Sequence, residues 1–372
     1  MTQDIEVKKV NLFDICRPKQ WKTISTKDLK DSGYPVYGAN GKIGFFDKYN
    51  HEHPTLLITC RGATCGALTI SDPFSYVNGN AMCIDDLSED VDIRFLYYFL
   101  LSRGFDDTIT GSAQPQITRQ TIAKIQINLP SLAKQKEIVS VIDKTMIIGE
   151  KRKKSLKLLE DYLDSTFVEM FGDIRTNPKK WDKLNLKDIT LKITDGTHQS
   201  PKFTESGIPF IFISNIVQNE ITLNTKKYIS EQTYHELTKS TPIEKYDILY
   251  TTVGSYGHPA IVKTDDKFCF QRHIAHIKPD TSKTNVYFLY GMLKTPYIRQ
   301  QADEKAKGVA QKTLNLGELN KFQIILPPMD MQNKYADIVA GVEKIKEAML
   351  KQLIELDNQS QSFLQSTFSS SI

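Results

Sequence analysis

The chain of 372 residues has no long apolar run: the richest stretches, Phe95 to Leu101 and Ile208 to Ile213, fall far short of the roughly 20 residues that span a bilayer. No transmembrane helix is expected. The start, MTQDIEVKKV, has no apolar core of the kind that secretory signals need, so a cytoplasmic protein is expected. Cysteine is sparse and odd in number (Cys16, Cys60, Cys65, Cys83 and Cys269), which argues against a disulfide framework and for reduced thiols. Net charge is small, +4 from 48 Lys+Arg against 44 Asp+Glu. That balance permits a polyanionic partner without requiring one.

Catalytic signatures are missing as well. No G-x-G-x-x-G or Walker loop is present to cradle a nucleotide or S-adenosylmethionine. The nearest approach to a methyltransferase Asp/Asn-Pro-Pro-aromatic tetrad, SDPFSY at Ser71, lacks the second proline. No cofactor and no catalytic residue are expected. Cys60 and Cys65 have no second cysteine pair, His51 and His53 flank Glu52, and His273 and His276 stand three apart. A zinc site needs four converging ligands, so no metal is expected either. With 40% hydrophobic and 25% charged residues, however, the chain is rich enough in apolar side chains to fold, and its length suits two to three domains.

What the sequence does contain is a repeat of about half its length. The string GSAQPQITRQTIAKIQINLP from Gly111 returns as GVAQKTLNLGELNKFQIILP from Gly308, a displacement of 308 − 111 = 197 residues. Carried without a gap through Phe171 and Phe368, that offset pairs 61 positions, of which 16 are identical, including Ala113/Ala310, Gln114/Gln311, Gln135/Gln332 and Leu159/Leu356. Chance at ordinary composition gives about four. Upstream, DIRFLYYFLLS from Asp92 matches NVYFLYGMLKT from Asn285 at an offset of 193. A period this long fixes architecture more firmly than local propensity.

Within each copy the character changes at a proline. Before Pro130 and Pro327 come short β-rich runs broken by Gly, Pro, Asn and Asp, with one helix at Phe95 to Leu101 and its counterpart. After them come Ala133 to Phe171 and Asp330 to Phe368, free of proline and rich in Lys, Glu, Gln and Leu, each long enough for a helix of roughly 58 Å. Three-and-four spacing marks a packing seam on Ile338, Val342, Ile345, Met349, Leu356 and Phe363 of the second helix. On the first it marks Val141, Ile148 and Leu159, with Ile142, Leu156 and Leu163 beside them.

This alternation resembles the DNA specificity (S) subunits of type I restriction-modification systems. YPVYGANGKIGFF from Tyr34, ITDGTHQSPKF from Ile193 and YDILYTTVGSYGHPAIV from Tyr246 are similar to the family's recognition-domain patterns, and INLPSLAKQKEIV, IILPPMDMQNKYA and DSTFVEMFGD to the edges of its spacers. The resemblance implies an α+β fold: target-recognition domains at 1–130 and 173–327, and spacer helices at 131–172 and 328–372, packed antiparallel as a coiled coil with pseudo-twofold symmetry. It further implies a non-catalytic subunit that binds a bipartite site in double-stranded DNA. Its partners would be methyltransferase subunits, two of them, and, in the restriction complex, motor-nuclease subunits. Two other readings stay open, a self-contained restriction or methylation enzyme and a coiled-coil adaptor for proteins.

Candidate DNA contacts follow from chemistry. Arg61, in a Gly-flanked loop, suits guanine O6 and N7 as well as it suits an exposed loop. Asn40 and Lys42 lie in the turn GANGKIG, and Asn78 with Asn80 in YVNGNAM: Asn suits adenine edges but also suits tight turns, and the turn reading is the favoured one. In the second copy Thr197, His198 and Gln199, then Ser255, Tyr256 and His258, then Gln271, Arg272 and His273 form donor-rich loops beside apolar strands. Gln114 and Arg119, with Lys305, Lys307, Gln311 and Lys312, surround the repeated Gly loops, where phosphate contact is expected.

Overall fold

The computed structural model describes residues 7–111, 114–309 and 311–368, so Ala113 and Ala310 lie outside the described residues. The chain folds as two compact units, residues 1–153 with 350–372 and residues 154–349.

Both units are built on one plan. In the first, an antiparallel four-stranded sheet runs in the order Arg17–Gln20, Ala81–Asp85, Leu56–Thr59, Leu68–Ile70. In the second, the order is Thr190–Asp195, Ile274–Pro279, Ile248–Thr251, Pro259–Ile261. A three-stranded sheet follows in each, mixing an antiparallel with a parallel pair: Tyr34–Gly38 lies between Gly41–Phe46 and Tyr76–Val77, and Ile208–Ile211 between Tyr228–Ile229 and Cys269–Phe270. A short ladder joins the strand that enters each domain to the strand that leaves it, Lys8–Asn11 with Gln126–Leu129 and Asp182–Asn185 with Gln323–Leu326. The central strands Leu56–Thr59 and Ile248–Thr251 are buried throughout, which is why they read as unbroken apolar runs rather than as alternation.

The expected long helices run Leu132–Phe171 and Met329–Phe368. Each starts on the strands that precede it in its own copy of the repeat. The buried Gln135 side chain accepts the Asp92 backbone N–H (2.8 Å) and donates to the carbonyls of Asp90 (2.8 Å) and Pro130 (2.9 Å). Gln332 repeats this with Asn285 N–H (2.8 Å) and Pro327 O (2.8 Å). Asp92 and Asn285 are in turn the N-caps of the domain helices Ile93–Arg103 and Val286–Lys294. One repeated amide therefore ties strand end, cap and long helix together in each copy.

Inside each unit the start of one long helix runs antiparallel to the end of the other. In the first unit Ile138, Val139 and Ile142 share a core with Phe363, Leu364 and Phe368, and Gly149 approaches Leu356. In the second, Leu163, Phe167 and Phe171 share a core with Tyr335, Val339 and Val342, and Lys346 pairs with Glu160 at 3.3 Å.

The seam differs from the expected one at three positions. Val141, Ile148 and Ile345 stand exposed at 41%, 46% and 51%. The buried stripe passes through Gln135, Ile138, Val139, Ile142, Leu163 and Phe167, and through Gln332, Tyr335, Ala336, Val339, Val342 and Met349. A count begun on Val141 follows a column one residue away from the one that faces the core at Ile142. Ile142, Leu163, Val342 and Met349 are buried, and Leu156, Leu159, Ile338, Leu356 and Phe363 are half-buried.

Candidate nucleic-acid interface

Strand directions bring the candidate loops of each unit to one end of its four-stranded sheet. Thr190–Asp195 and Ile248–Thr251 end where Ile274–Pro279 and Pro259–Ile261 begin, so the loops from Gly196, Thr252 and Gln271 emerge side by side. Backbone bonds then link them in a row. Arg272 N–H donates to Thr197 O (3.1 Å), Thr252 N–H to His273 O (2.9 Å), and Gly254 N–H to Lys312 O (2.9 Å). The first unit assembles the equivalent row: Cys60 N–H to Asn80 O (3.4 Å) and Gly62 N–H to Pro115 O (3.2 Å), with Thr64 Oγ1 donating to Asn40 Oδ1 (2.6 Å).

The repeated Gly loops prove to be matched hairpins. Thr110 pairs with Gln116 and Lys307 with Thr313, at the 197-residue offset. Next to each pair, Ile117 N–H donates to Cys60 O and Leu314 N–H to Thr252 O. Gln114 and Gln311 are thus carried, exposed, beside the loops of Arg61 and Ser255. At Gly254 (φ +66°) an added Cβ would come within 3.2 Å of the Gln311 amide. Glycine is favoured there by the positive φ.

The exposed side chains on these rims are Asn40, Lys42, Arg61, Asn80 and Gln114 in one unit, and His198, Gln199, Ser255, Arg272, Lys307, Gln311 and Lys312 in the other. Thr197, His258, Gln271, His273 and Lys305 are half-buried among them. Burial, reinforced by neighbouring Arg272, holds His273 below the ordinary histidine range. Burial likewise lowers His258, with Arg299 adding to it. Both shifts favour the neutral imidazole, which can donate from one nitrogen and accept at the other.

Three candidates sit differently from expectation. Asn78 is buried, and its amide is engaged with the backbone of Ile24 and Gly79, so it shapes the turn rather than facing a ligand. Tyr256 is buried too, its hydroxyl donating to Asp303 at 2.7 Å. Arg119, at the start of the short helix Arg119–Ile122, lies over the ring of Phe13 and lines a cavity with Arg17, Lys19 and His51.

Burial pushes the Cys16 and Cys60 thiols up to about 12 and about 11, the opposite of a reactive thiolate. His51, Cys83 and Asp85 bring ligand atoms within 4.8 Å of one another. The His51 and Asp85 atoms are already engaged, His51 with Asp85 (3.0 Å) and Asn50 (2.7 Å), and Asp85 with the Trp21 indole (2.9 Å).

Sequence reasoning missed Gln135 and Gln332 as connectors and Arg299 altogether. The glutamines carried a signal, identity across the repeat, whereas Arg299 carried none.

The profile of the Type I restriction modification DNA specificity domain matches residues 4–158 and 178–356. Among curated proteins, the Type I restriction enzyme MjaIX specificity subunit of Methanocaldococcus jannaschii is 22% identical over 89% of this chain and 85% of its own length. The EcoBI specificity subunit of Escherichia coli is 24% identical over 77% and 67%. The type I restriction-modification S subunit from M. genitalium shares the fold, with a TM-score of 0.60 at 16% identity over 98% of this chain and 96% of that one. A chain solved for complex assembly and conformational transition of the type I R-M system does so at 0.59 and 16%, over 98% and 99%. With two copies of the profile on two copies of one fold, the chain belongs to the type I restriction-modification DNA specificity subunit family, whose members are the recognition components rather than the catalytic ones.

Proposed function

We propose that the chain reads a bipartite site in double-stranded DNA, one half by the rim around Arg61 and Gln114, the other by the rim around His198, Ser255, Arg272 and Gln311. The observation that carries this reading is the duplication of the rim itself: the same strand ends, the same hairpin and the same backbone links present different side chains in the two units. A shared scaffold with divergent tips is what two readers of unlike sequences need, since phosphate contacts position a protein and base contacts specify. The domain boundaries of this reading are recognition domains at 1–130 and 173–327, with the intervening helices as spacers that set the gap between half-sites.

The chain carries out no chemistry and recruits subunits that do. Apolar side chains left exposed along the long helices, among them Ile148, Leu158, Tyr162, Ile345 and Ile354, form docking surfaces for two methyltransferase subunits, and motor-nuclease subunits join in the restriction complex. Ile148 and Ile345 are the same residue at equivalent positions of the repeat, as two equivalent docking sites require.

The test is to purify the chain with its modification subunits and measure binding to duplexes carrying a split sequence. One split sequence is expected to be bound and its adenines methylated, with affinity falling steeply as salt rises. A stable complex with no sequence preference, or binding indifferent to salt, would contradict the reading.

A further inference from the structure

The loop between Ile248–Thr251 and Pro259–Ile261 is seated from below by a residue on the neighbouring helix Pro296–Lys305. Arg299 Nη1 donates to the Tyr256 carbonyl (2.8 Å), the guanidinium lies over the Tyr256 ring at 4.8 Å, and Nε donates to Asp303 Oδ1 (3.2 Å). The same carboxylate oxygen accepts the Tyr256 hydroxyl at 2.7 Å. Tyr256 is thereby held at its backbone, its ring face and its hydroxyl at once. Gly257 (φ +89°) admits the clamp, since a Cβ there would sit 2.9 Å from Arg299 Nη1. In the first unit the corresponding glycine, Gly66 (φ +90°), rests instead on the buried ring of Phe105. One loop rests on a charged fork and the other on a hydrocarbon.

We infer that Arg299 is a positioning residue for DNA reading by the second unit, fixing the loop so that Ser255 and His258 meet the bases in one geometry. This rests on the proposed reading of DNA by the rims. A planar guanidinium that stacks and donates in two directions pins a loop more tightly than a lysine could. A loop pinned before binding loses less conformational freedom when it meets DNA. The side chain is 45% exposed, so its removal need not unfold the unit. Arg299 is also the charged group that bears on His258, whose backbone N–H is held by Thr251 Oγ1 (3.0 Å).

The experiment compares wild type, Arg299→Ala, Arg299→Lys and Asp303→Asn, each assembled with the modification subunits, by sequencing the methylated sites. Discrimination at the second half-site is expected to relax about tenfold in Arg299→Ala, and less in Arg299→Lys and Asp303→Asn, with the first half-site unchanged. In parallel, NMR titration should show His258 moving up toward the ordinary histidine range in Arg299→Ala and staying low in Arg299→Lys. A second half-site as sharp in Arg299→Ala as in wild type would overturn the inference, as would equal loss at both half-sites. If the wild-type complex reads no split site, the reading of the rims has failed. Hydrogen exchange of the loop amides then decides the clamp alone: faster exchange at Gly257 and His258 in Arg299→Ala supports it, and unchanged exchange overturns it.

Discussion

Phe171, the last residue of the first long helix, lies edge-on to Phe288 of the second recognition domain, with ring centroids 4.9 Å apart. Its repeat counterpart Phe368 meets Phe95 of the first domain in the same way at 5.6 Å. Each long helix therefore begins on one recognition domain, through Gln135 or Gln332, and ends in the core of the other. Phe171→Ala is expected to destabilise the second unit by about 3–5 kcal/mol, because it opens a cavity among Phe167, Phe288 and Tyr335. Hydrogen exchange resolved by unit would show protection lost around Val286–Lys294 and kept around Ile93–Arg103.

Replacing Gln332 by Leu keeps the volume but removes every bond the amide makes. The half-buried Asn285 N–H and the buried Pro327 carbonyl would lose their partner, as would the Thr284 hydroxyl that donates to the same amide oxygen (3.2 Å), at about 1–3 kcal/mol for each group left unpaired. Chemical denaturation should give a loss of about 2–5 kcal/mol in the second unit, and Gln135→Leu the matching loss in the first.

Asp247 supplies a pH dependence with a definite sign. Burial opposes its charge, but hydrogen bonds from His276 (2.6 Å), Lys278 (2.9 Å) and the Glu244 backbone (2.8 Å) outweigh this and hold the carboxyl below its ordinary range. A depressed carboxylate stabilises the fold above the unfolded pKa of about 3.9 and loses that contribution as pH falls through its lower folded value. The second unit should weaken as the solution is acidified below about pH 4. Asp247→Asn should flatten that acid limb and destabilise by about 1–3 kcal/mol at pH 7, since His276 loses its carboxylate partner while Lys278 keeps Glu244 (2.9 Å).

Much of the fold was legible in the sequence. The 197-residue offset located both long helices to within a residue at each end and matched the Thr110/Gln116 and Lys307/Thr313 hairpins. Which helical face packs was less legible, because apolar residues such as Ile148 and Ile345 stand on an exposed face as well as on the buried one. Of the site, the clusters could be read as donor-rich loops, but their joining could not. Thr197 meets Arg272, and Gly254 meets Lys312, through backbone bonds that carry no side-chain signature. Tyr256 read as ligand-facing for the same reason, since polarity in a loop does not reveal which polar atoms the loop itself uses, whereas Asn78 is engaged in the turn that its residue type favours.

The spacing of the two half-sites is the quantity on which the account turns. Removing four residues from each long helix at equivalent positions, 150–153 and 347–350, shortens each by about 6 Å and preserves the symmetry of the repeat. Sequencing of methylated sites from the variant complex should return the same two half-sequences separated by a gap about two base pairs shorter, at 3.4 Å per pair. An unchanged gap, or half-sequences that change while the gap stays, would contradict the assignment of reading to the rims and spacing to the helices.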